Sequence, residues 1–171
     1  MFSDRQDGGQ QLAKKLSAYR GRKDVVVIGL PRGGVVTAAE VARALRVPLD
    51  IVAPRKIGAP GNPELAIGAI TEEGIPVMNQ DFLGLVDVPQ EYLNRVVEEE
   101  KREADRRLRL YRGDRPPLEL RGKTALLVDD GIATGATMRA AIVSARHKGA
   151  KKVVVAAPVT ARDSQQKISQ E

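Results

Sequence analysis

Residues 126–137 read Leu126-Leu127-Val128-Asp129-Asp130-Gly131-Ile132-Ala133-Thr134-Gly135-Ala136-Thr137. An apolar run ends on two adjacent carboxylates, a loop of Gly, Ala and Thr follows, and a helical pattern then begins. Each part has a use at one site. Carboxylates hold sugar hydroxyls or a hydrated magnesium ion. Small residues let backbone N–H groups close around a phosphate, and the start of a helix adds its positive end. The segment has the parts needed to hold a phosphorylated sugar.

Working outward, the same strand–loop–helix grammar repeats. Val25-Val26-Val27-Ile28 is a short buried-strand pattern, stopped by Gly29-Leu30-Pro31-Arg32-Gly33-Gly34, and residues 35–45 are helical. Leu49-Asp50-Ile51-Val52 forms a second strand. Residues 55–63, basic and rich in Gly and Pro, are expected to form a loop. Residues 65–70 and 75–78 are strand-like, with a turn at Glu72-Glu73-Gly74. The patterns over 4–19, 89–112 and 137–148 predict helices, the last closed by Gly149. Residues 124–128 and 152–157 complete the strands, and the tail from Arg162 to Glu171 is polar and weakly patterned. Strands alternating with helices predict an α/β fold with a parallel sheet. Ligands on such sheets sit beyond the carboxyl ends of the strands. The loops 29–34, 55–63 and 129–137 all leave strand ends there, and they meet if those strands are neighbours.

Composition narrows the chemistry. At 171 residues, with 42% hydrophobic and 29% charged residues, the chain reads as one globular domain. There is no cysteine and one histidine, so a thiol nucleophile, a disulfide and a cluster of histidine ligands are excluded. His147, between Arg146 and Lys148 at a helix end, reads as a surface residue. No apolar run reaches the length that spans a bilayer, and the start of the chain lacks a signal-peptide core; the expected location is cytoplasmic. A net charge of +6 suits phosphate-rich partners. With 3% aromatic residues and no Trp, a base-stacking platform is poorly supplied, so a small phosphorylated ligand is favoured over nucleic acid.

Asp129 and Asp130 at a strand end are costly if buried without partners. A solvated turn would explain two acids and a glycine; the ordered set of strand, paired acids, Thr-Gly-Ala-Thr and helix is far more specific. Gly122-Lys123-Thr124 fails as a P-loop, because Pro117 stands where its first glycine belongs and a strand follows. Lys101, Arg102, Arg106, Arg107, Arg109, Arg112 and Arg115 are interleaved with acids, in pairs such as Glu98–Arg102, Glu103–Arg107 and Asp105–Arg109. They read first as a solvated, salt-bridged helix face and second as an RNA- or acceptor-binding surface.

The stretch Val128 to Thr137 resembles the PRPP-binding motif of the type I phosphoribosyltransferases, where PRPP is 5-phosphoribosyl 1-pyrophosphate. Leu30-Pro31-Arg32-Gly33-Gly34 resembles the pyrophosphate loop of that family. Arg55-Lys56 with Ile57-Gly58-Ala59-Pro60-Gly61-Asn62-Pro63-Glu64 resembles its basic strand end and mobile loop. The resemblance covers most of 25–159, and is strongest to uncharacterised bacterial phosphoribosyltransferase-domain proteins. It implies a Rossmann-like parallel-sheet core with helices on both faces, over about 25–159, and a helical insertion at about 89–115. It implies that Asp129 and Asp130 take ribose and magnesium. Gly131, Ile132, Ala133, Thr134, Gly135, Ala136 and Thr137 would wrap the 5′-phosphate. Arg32, Gly33, Gly34, Arg55 and Lys56 would hold pyrophosphate, with residues 58–63 as a lid. Arg55 and Lys56 join the two acids as the expected catalytic set, and a non-proline cis peptide is expected at Arg32–Gly33.

The implied reaction is PRPP-dependent and magnesium-dependent transfer of the phosphoribosyl group to a nitrogenous acceptor, in a homodimer. Two departures from the family pattern bear on it. Ala133 stands where the hypoxanthine-guanine branch has an Asp that helps to activate the base, which leaves the acceptor open. The chain also stops where family members continue, so a C-terminal strand is expected to be missing from the sheet edge. The competing expectations are a PRPP-binding regulator without turnover, acting on RNA or a protein, and an α/β phosphate-binding protein that shares only the loop geometry.

Overall fold

A computed structural model describes residues 2–79 and 87–170. The chain forms α1 (Arg5–Lys15), a 3-10 turn (Ser17–Tyr19), β1 (Val25–Gly29), α2 (Gly33–Leu45), β2 (Leu49–Ile51), β3 (Arg55–Ala59), β4 (Asn62–Ile70) and β5 (Pro76–Met78). It continues through α3 (Gln90–Arg112), β6 (Thr124–Val128), α4 (Ala136–His147), β7 (Lys152–Ala156) and α5 (Arg162–Ile168).

Four strands make a parallel sheet in the order β2-β1-β6-β7. Val25 pairs with Thr124, and Thr124 with Lys152, so β1, β6 and β7 start level. Every residue of β1 and β6 is buried, as a parallel strand covered on both faces requires. The two-residue period divides the sheet between two cores. Val25, Val27, Leu126 and Val128 face Ala38, Val41 and Leu45 of α2 and Ala13 of α1. Val26, Ile28, Ala125 and Leu127 face Met138, Ala141, Ile142 and Ala145 of α4. This is the expected α/β core, with helices on both faces.

A second, antiparallel sheet has the order β3-β4-β5. Its core of Ile57, Ile67 and Ile70 packs against Leu93, Val96 and Val97 of α3. Here the sequence reading needs correction. Residues 55–63, expected as a loop, are β3, a turn and the start of β4. Glycine and proline mark the turn, where Gly61 has φ +75°, but Ile57 and Ala59 alternate inward and zip the hairpin shut. Gly58 is required: a Cβ there would lie 2.5 Å from the Pro63 carbonyl oxygen. The Tyr92 hydroxyl donates to the Gly58 carbonyl at 2.9 Å.

Three further expectations shift. Helix α2 starts at Gly33 rather than 35, so both glycines belong to its first turn. The tail is not unpatterned: 162–168 is helix α5, with Ser164 buried; Glu171 lies outside the described residues. The non-proline cis peptide is Pro31–Arg32, one bond earlier than expected. Of the three charge pairs expected on α3, Glu103–Arg107 forms at 2.8 Å, and Glu103 also takes Arg106 at 2.7 Å.

The two sheets are tied by buried charge. The β4–β5 turn puts Glu72 and Glu73 against the end of α4, where Lys148 Nζ lies 2.6 Å from Glu72 Oε1 and 2.7 Å from Glu73 Oε1. Ser144 Oγ donates to Glu73 at 3.1 Å. Arg112, at the end of α3, donates to Asp50 Oδ1 at 3.0 Å and to the Ile51 carbonyl at 2.6 Å. Its guanidinium also comes within 3.8 Å of Glu72.

Candidate functional site

Strand β6 ends in the core, so the next two residues emerge together at the carboxyl edge of the sheet. Leu30 N–H donates to the Val128 carbonyl at 3.1 Å, which holds the 29–34 turn beside them. The approach is tight enough to need glycine. A Cβ on Gly34 would lie 2.5 Å from Asp129 Oδ1 and 2.9 Å from Asp129 Cα, and one on Gly33 would overlap the Asp130 carboxylate. The expected acid pair and the Gly33-Gly34 turn are therefore in contact at the first turn of α2.

The loop after the acids is anchored at its base. Ile132 N–H donates to the Val159 carbonyl and Ala161 N–H to the Ile132 carbonyl, both at 3.0 Å. Ser164 Oγ, on α5, donates to the Ala133 carbonyl. Gly135, at φ +78°, turns the chain into α4 and packs against Ile168. Gly131, Ala133 and Thr134 are left exposed over the start of α4. Helix α5 thus supports the loop, a role that the sequence reading missed; polar spacing without apolar periodicity gave no helical signal there.

A cavity of about 470 Å³ opens between this loop and the β3–β4 hairpin. Asp129, Thr134, Thr137 and Lys56 line it, together with Glu64 and Asn79, which the sequence reading did not single out as site residues. Arg55 goes elsewhere: its Nε lies 2.6 Å from Glu100 Oε2 on α3. Neighbouring residues of a strand face opposite ways, so β3 sends Lys56 to the loop and Arg55 to the helix. Arg32 is exposed at the start of α2, outside this cavity. His147 is exposed at the end of α4 and away from the acids, as expected. A larger groove of about 690 Å³ follows the outer edge of β7 between Leu12 and Ile168 and touches neither acid.

Burial pushes Asp129 up to about 7, and the neighbouring Asp130 carboxylate adds to the rise. Burial acts in the same sense on Asp130, but the Arg5 guanidinium, with Nε 2.6 Å from Asp130 Oδ2, and the hydrogen bond shared with Asp129 together outweigh it and hold that carboxyl below its usual range. The pair therefore shares its charge unequally. Asp129 has a folded value above its ordinary 3.8. Its protonated form stabilises the fold fully below that value, and the contribution is lost as pH rises through about 7. Asp129→Asn has no charge to bury. Its gain in melting temperature over the wild type, without ligand, is expected to grow from about pH 5 to about pH 8. After allowance for solvent screening, the gain reaches about 1–2 kcal/mol, or roughly 2–8 °C. Thermal melts across that range check it, and a pH-independent offset would overturn it.

Two adjacent carboxylates with threonine hydroxyls are hard oxygen donors, the kind magnesium takes from a protein when a phosphate ligand and water supply the rest. No cluster of three acidic, His or Cys side chains that could cage a metal alone occurs among the described residues.

Comparison with known proteins agrees with this geometry. A family model described as phosphoribosyl transferase domain matches residues 4–171. A protein of Mycobacterium tuberculosis, strain H37Rv, provisionally named a phosphoribosyl transferase, is 47% identical over 159 residues, or 93% of this chain. That match covers 36% of the relative, so the chain spans about a third of its length. The crystal structure of TT1426 from Thermus thermophilus superposes with a TM-score of 0.81 at 43% identity, over 99% of this chain and 80% of that one. A purine phosphoribosyltransferase from Pyrococcus horikoshii shares the fold, with a TM-score of 0.53 at 22% identity, over 91% and 72% of the two chains. So does a hypoxanthine phosphoribosyltransferase from Staphylococcus aureus, with a TM-score of 0.53 at 12% identity, over 94% and 65%.

Proposed function

This chain belongs to the phosphoribosyl transferase domain family, and from that membership we propose that it transfers the 5-phosphoribosyl group of PRPP to a nitrogenous acceptor, a nucleobase, releasing pyrophosphate. The observation that carries the reading is the contact of Asp129 and Asp130 with the glycines of the 32–34 turn, beside a phosphate-sized loop and Lys56.

Each part then has one task. Gly131, Ile132, Ala133, Thr134, Gly135, Ala136 and Thr137 bind the 5′-phosphate through backbone N–H groups, the two threonine hydroxyls and the positive end of α4. Asp129 and Asp130 accept hydrogen bonds from the ribose hydroxyls and steady a hydrated magnesium ion. When bound, that ion neutralises charge on the leaving pyrophosphate. Arg32 and the amides of Gly33 and Gly34 receive the pyrophosphate at the start of α2, with Lys56 from above. The ribose carbon gains cationic character as the bond to pyrophosphate breaks, so the protein supplies no nucleophile. It holds the partners in line and excludes water. The β3–β4 hairpin walls the cavity through Lys56, Glu64, Leu65 and Ala66, and its 58–63 tip is the segment that would close over a bound ligand. Arg55 joins this set only by leaving Glu100, and in its present pairing it fixes α3 on the hairpin.

The proposal also takes the chain as one domain acting as a homodimer in the cytoplasm; no helix among the described residues is long and apolar enough to cross a membrane. The second reading, a regulator that binds PRPP and RNA or a protein without turnover, draws on the cations at 101–115 as well as on the short tail. Several of them are engaged: Arg106 and Arg107 pair with Glu103, and Arg112 is almost buried against Asp50. That weakens the surface an RNA would need.

Calorimetry with PRPP and magnesium, followed by pyrophosphate release across a panel of nucleobases starting with the purines, tests the proposal. Binding with base-dependent release is expected. Binding without release by any base supports the regulator, and no binding of PRPP overturns both.

A further inference from the structure

We propose that Arg5 is a diphosphate-binding residue of this site, so that helix α1 forms one of its walls; the inference rests on the PRPP reading above. Helix α1 lies before the motifs at 29–34, 55–63 and 129–137, and its first residue reaches the acid pair. Arg5 Nε is 2.6 Å from Asp130 Oδ2. The same nitrogen would lie 2.8 Å from a Cβ on Gly33, so the guanidinium stands at the 32–34 turn as well.

The placement is built, at a cost. Gly8 and Gly9 are buried in the middle of α1. Each glycine inside a helix costs about 1 kcal/mol relative to alanine. What they permit is close approach. A Cβ on Gly9 would lie 2.7 Å from both Glu40 Cβ and the Thr37 carbonyl oxygen of α2, and one on Gly8 would lie 3.0 Å from Pro158. Asp4 caps α1 by accepting from Asp7 N–H at 2.8 Å, and Thr37 Oγ1 donates to the Arg5 carbonyl at 3.4 Å. An exposed ion pair contributes about 0–1 kcal/mol. Two adjacent helix-interior glycines are too large a sacrifice for a surface pair alone.

The guanidinium has donors to spare. Only Nε is bonded to protein among the described residues, and the side chain is 60% exposed. Its terminal nitrogens are free to take two anionic oxygens in the forked geometry that arginine offers phosphates. Arg5 also lines a solvent-open cavity of about 310 Å³ with Asp4, Thr37 and Asp130. An anion at the 32–34 turn meets the positive end of α2 on one side and Arg5 on the other. Asp130 orients the guanidinium through Nε and keeps its second oxygen for the ribose. Arg5 thus bridges the sugar-binding acid and the diphosphate.

The test compares three ligands by calorimetry with magnesium: PRPP, inorganic pyrophosphate and ribose 5-phosphate. Arg5→Gln is expected to weaken PRPP and pyrophosphate by about ten- to a hundredfold, the loss of a charged hydrogen-bond donor, and to change ribose 5-phosphate less than about threefold. Arg5→Lys recovers part of the loss. Gly9→Ala, which displaces α1 and leaves every site side chain intact, reproduces the same selectivity. Equal losses for all three ligands, or unchanged PRPP affinity in Arg5→Gln, would overturn the assignment while leaving the PRPP reading in place. A wild-type protein that binds none of the three overturns that reading and the role of Arg5 with it.

Discussion

Replacing Asp129 and Asp130 together by alanine is expected to remove measurable PRPP binding and to lower kcat/KM by about a hundred- to ten-thousandfold. Two carboxylates each contribute charge-assisted hydrogen bonds worth about 1.5–3 kcal/mol, and Glu64, the other carboxylate lining the cavity, stands on the opposite wall, on the β3–β4 hairpin. The variant stays folded. Burial opposes the charge of Asp129, so its removal relieves the fold instead of weakening it. A calorimetric titration and a pyrophosphate-release assay, run beside a melting curve, check both halves. A folded double variant that still binds PRPP at wild-type affinity would show that the acids are only a solvated turn.

The second large effect falls on stability, far from the acids. Lys148→Met is expected to destabilise the protein by about 3–5 kcal/mol, lowering its melting temperature by roughly 6–20 °C. Glu72 has a side chain only 5% exposed, and its Oε2 lacks a hydrogen-bond partner among the described residues. Without the lysine, its other oxygen keeps only Arg112, at 3.8 Å, among the described residues. Burial would lower Lys148, but Glu72 and Glu73 outweigh it and hold the ammonium above its usual value. The lysine's contribution is therefore full below the ordinary lysine range and is lost in strong alkali, while that of Glu73, which burial would raise but Lys148 and Thr71 hold below its usual value, is lost in acid. Lys148→Met combined with Glu72→Leu is expected to regain most of the loss, because burying no charge costs less than burying one without its partner. If Lys148→Met melts with the wild type, the network is not what joins the two sheets.

The core was legible because its signals are local. Four consecutive apolar residues at 25–28 and four at 125–128 read as strands covered on both faces, and the acids that follow the second run must emerge at its end. The site was legible to the same extent, since a strand end fixes where Asp129 and the loop to Thr137 lie. The hairpin was hidden because Gly58, Pro60, Gly61 and Pro63 signal a turn more strongly than Ile57 and Ala59 signal strand. That mistake concealed Glu64 and the opposite facing of Arg55 and Lys56. Glu72-Glu73-Gly74 was read correctly as a turn, with Gly74 at φ +86°. Nothing in three residues of sequence tells that two of them pair with a lysine at the end of a distant helix, one of them buried. Arg5 was missed for a related reason: an arginine in a polar first turn looks solvated, and the glycines at 8 and 9, its one signal, look like weakness in a helix.

That weakness has a thermodynamic consequence. A segment with two interior glycines has little helical preference of its own, so α1 holds its shape mainly by resting on α2 and Pro158. Any ligand that needs Arg5 binds only the docked population, and its apparent affinity is scaled by that fraction. By linkage, the ligand pulls α1 down in turn. Occupancy of the site and order at the amino-terminal end of the molecule then become one equilibrium, and a small loss of docking on warming would loosen the grip on ligand while the sheet behind it stays intact.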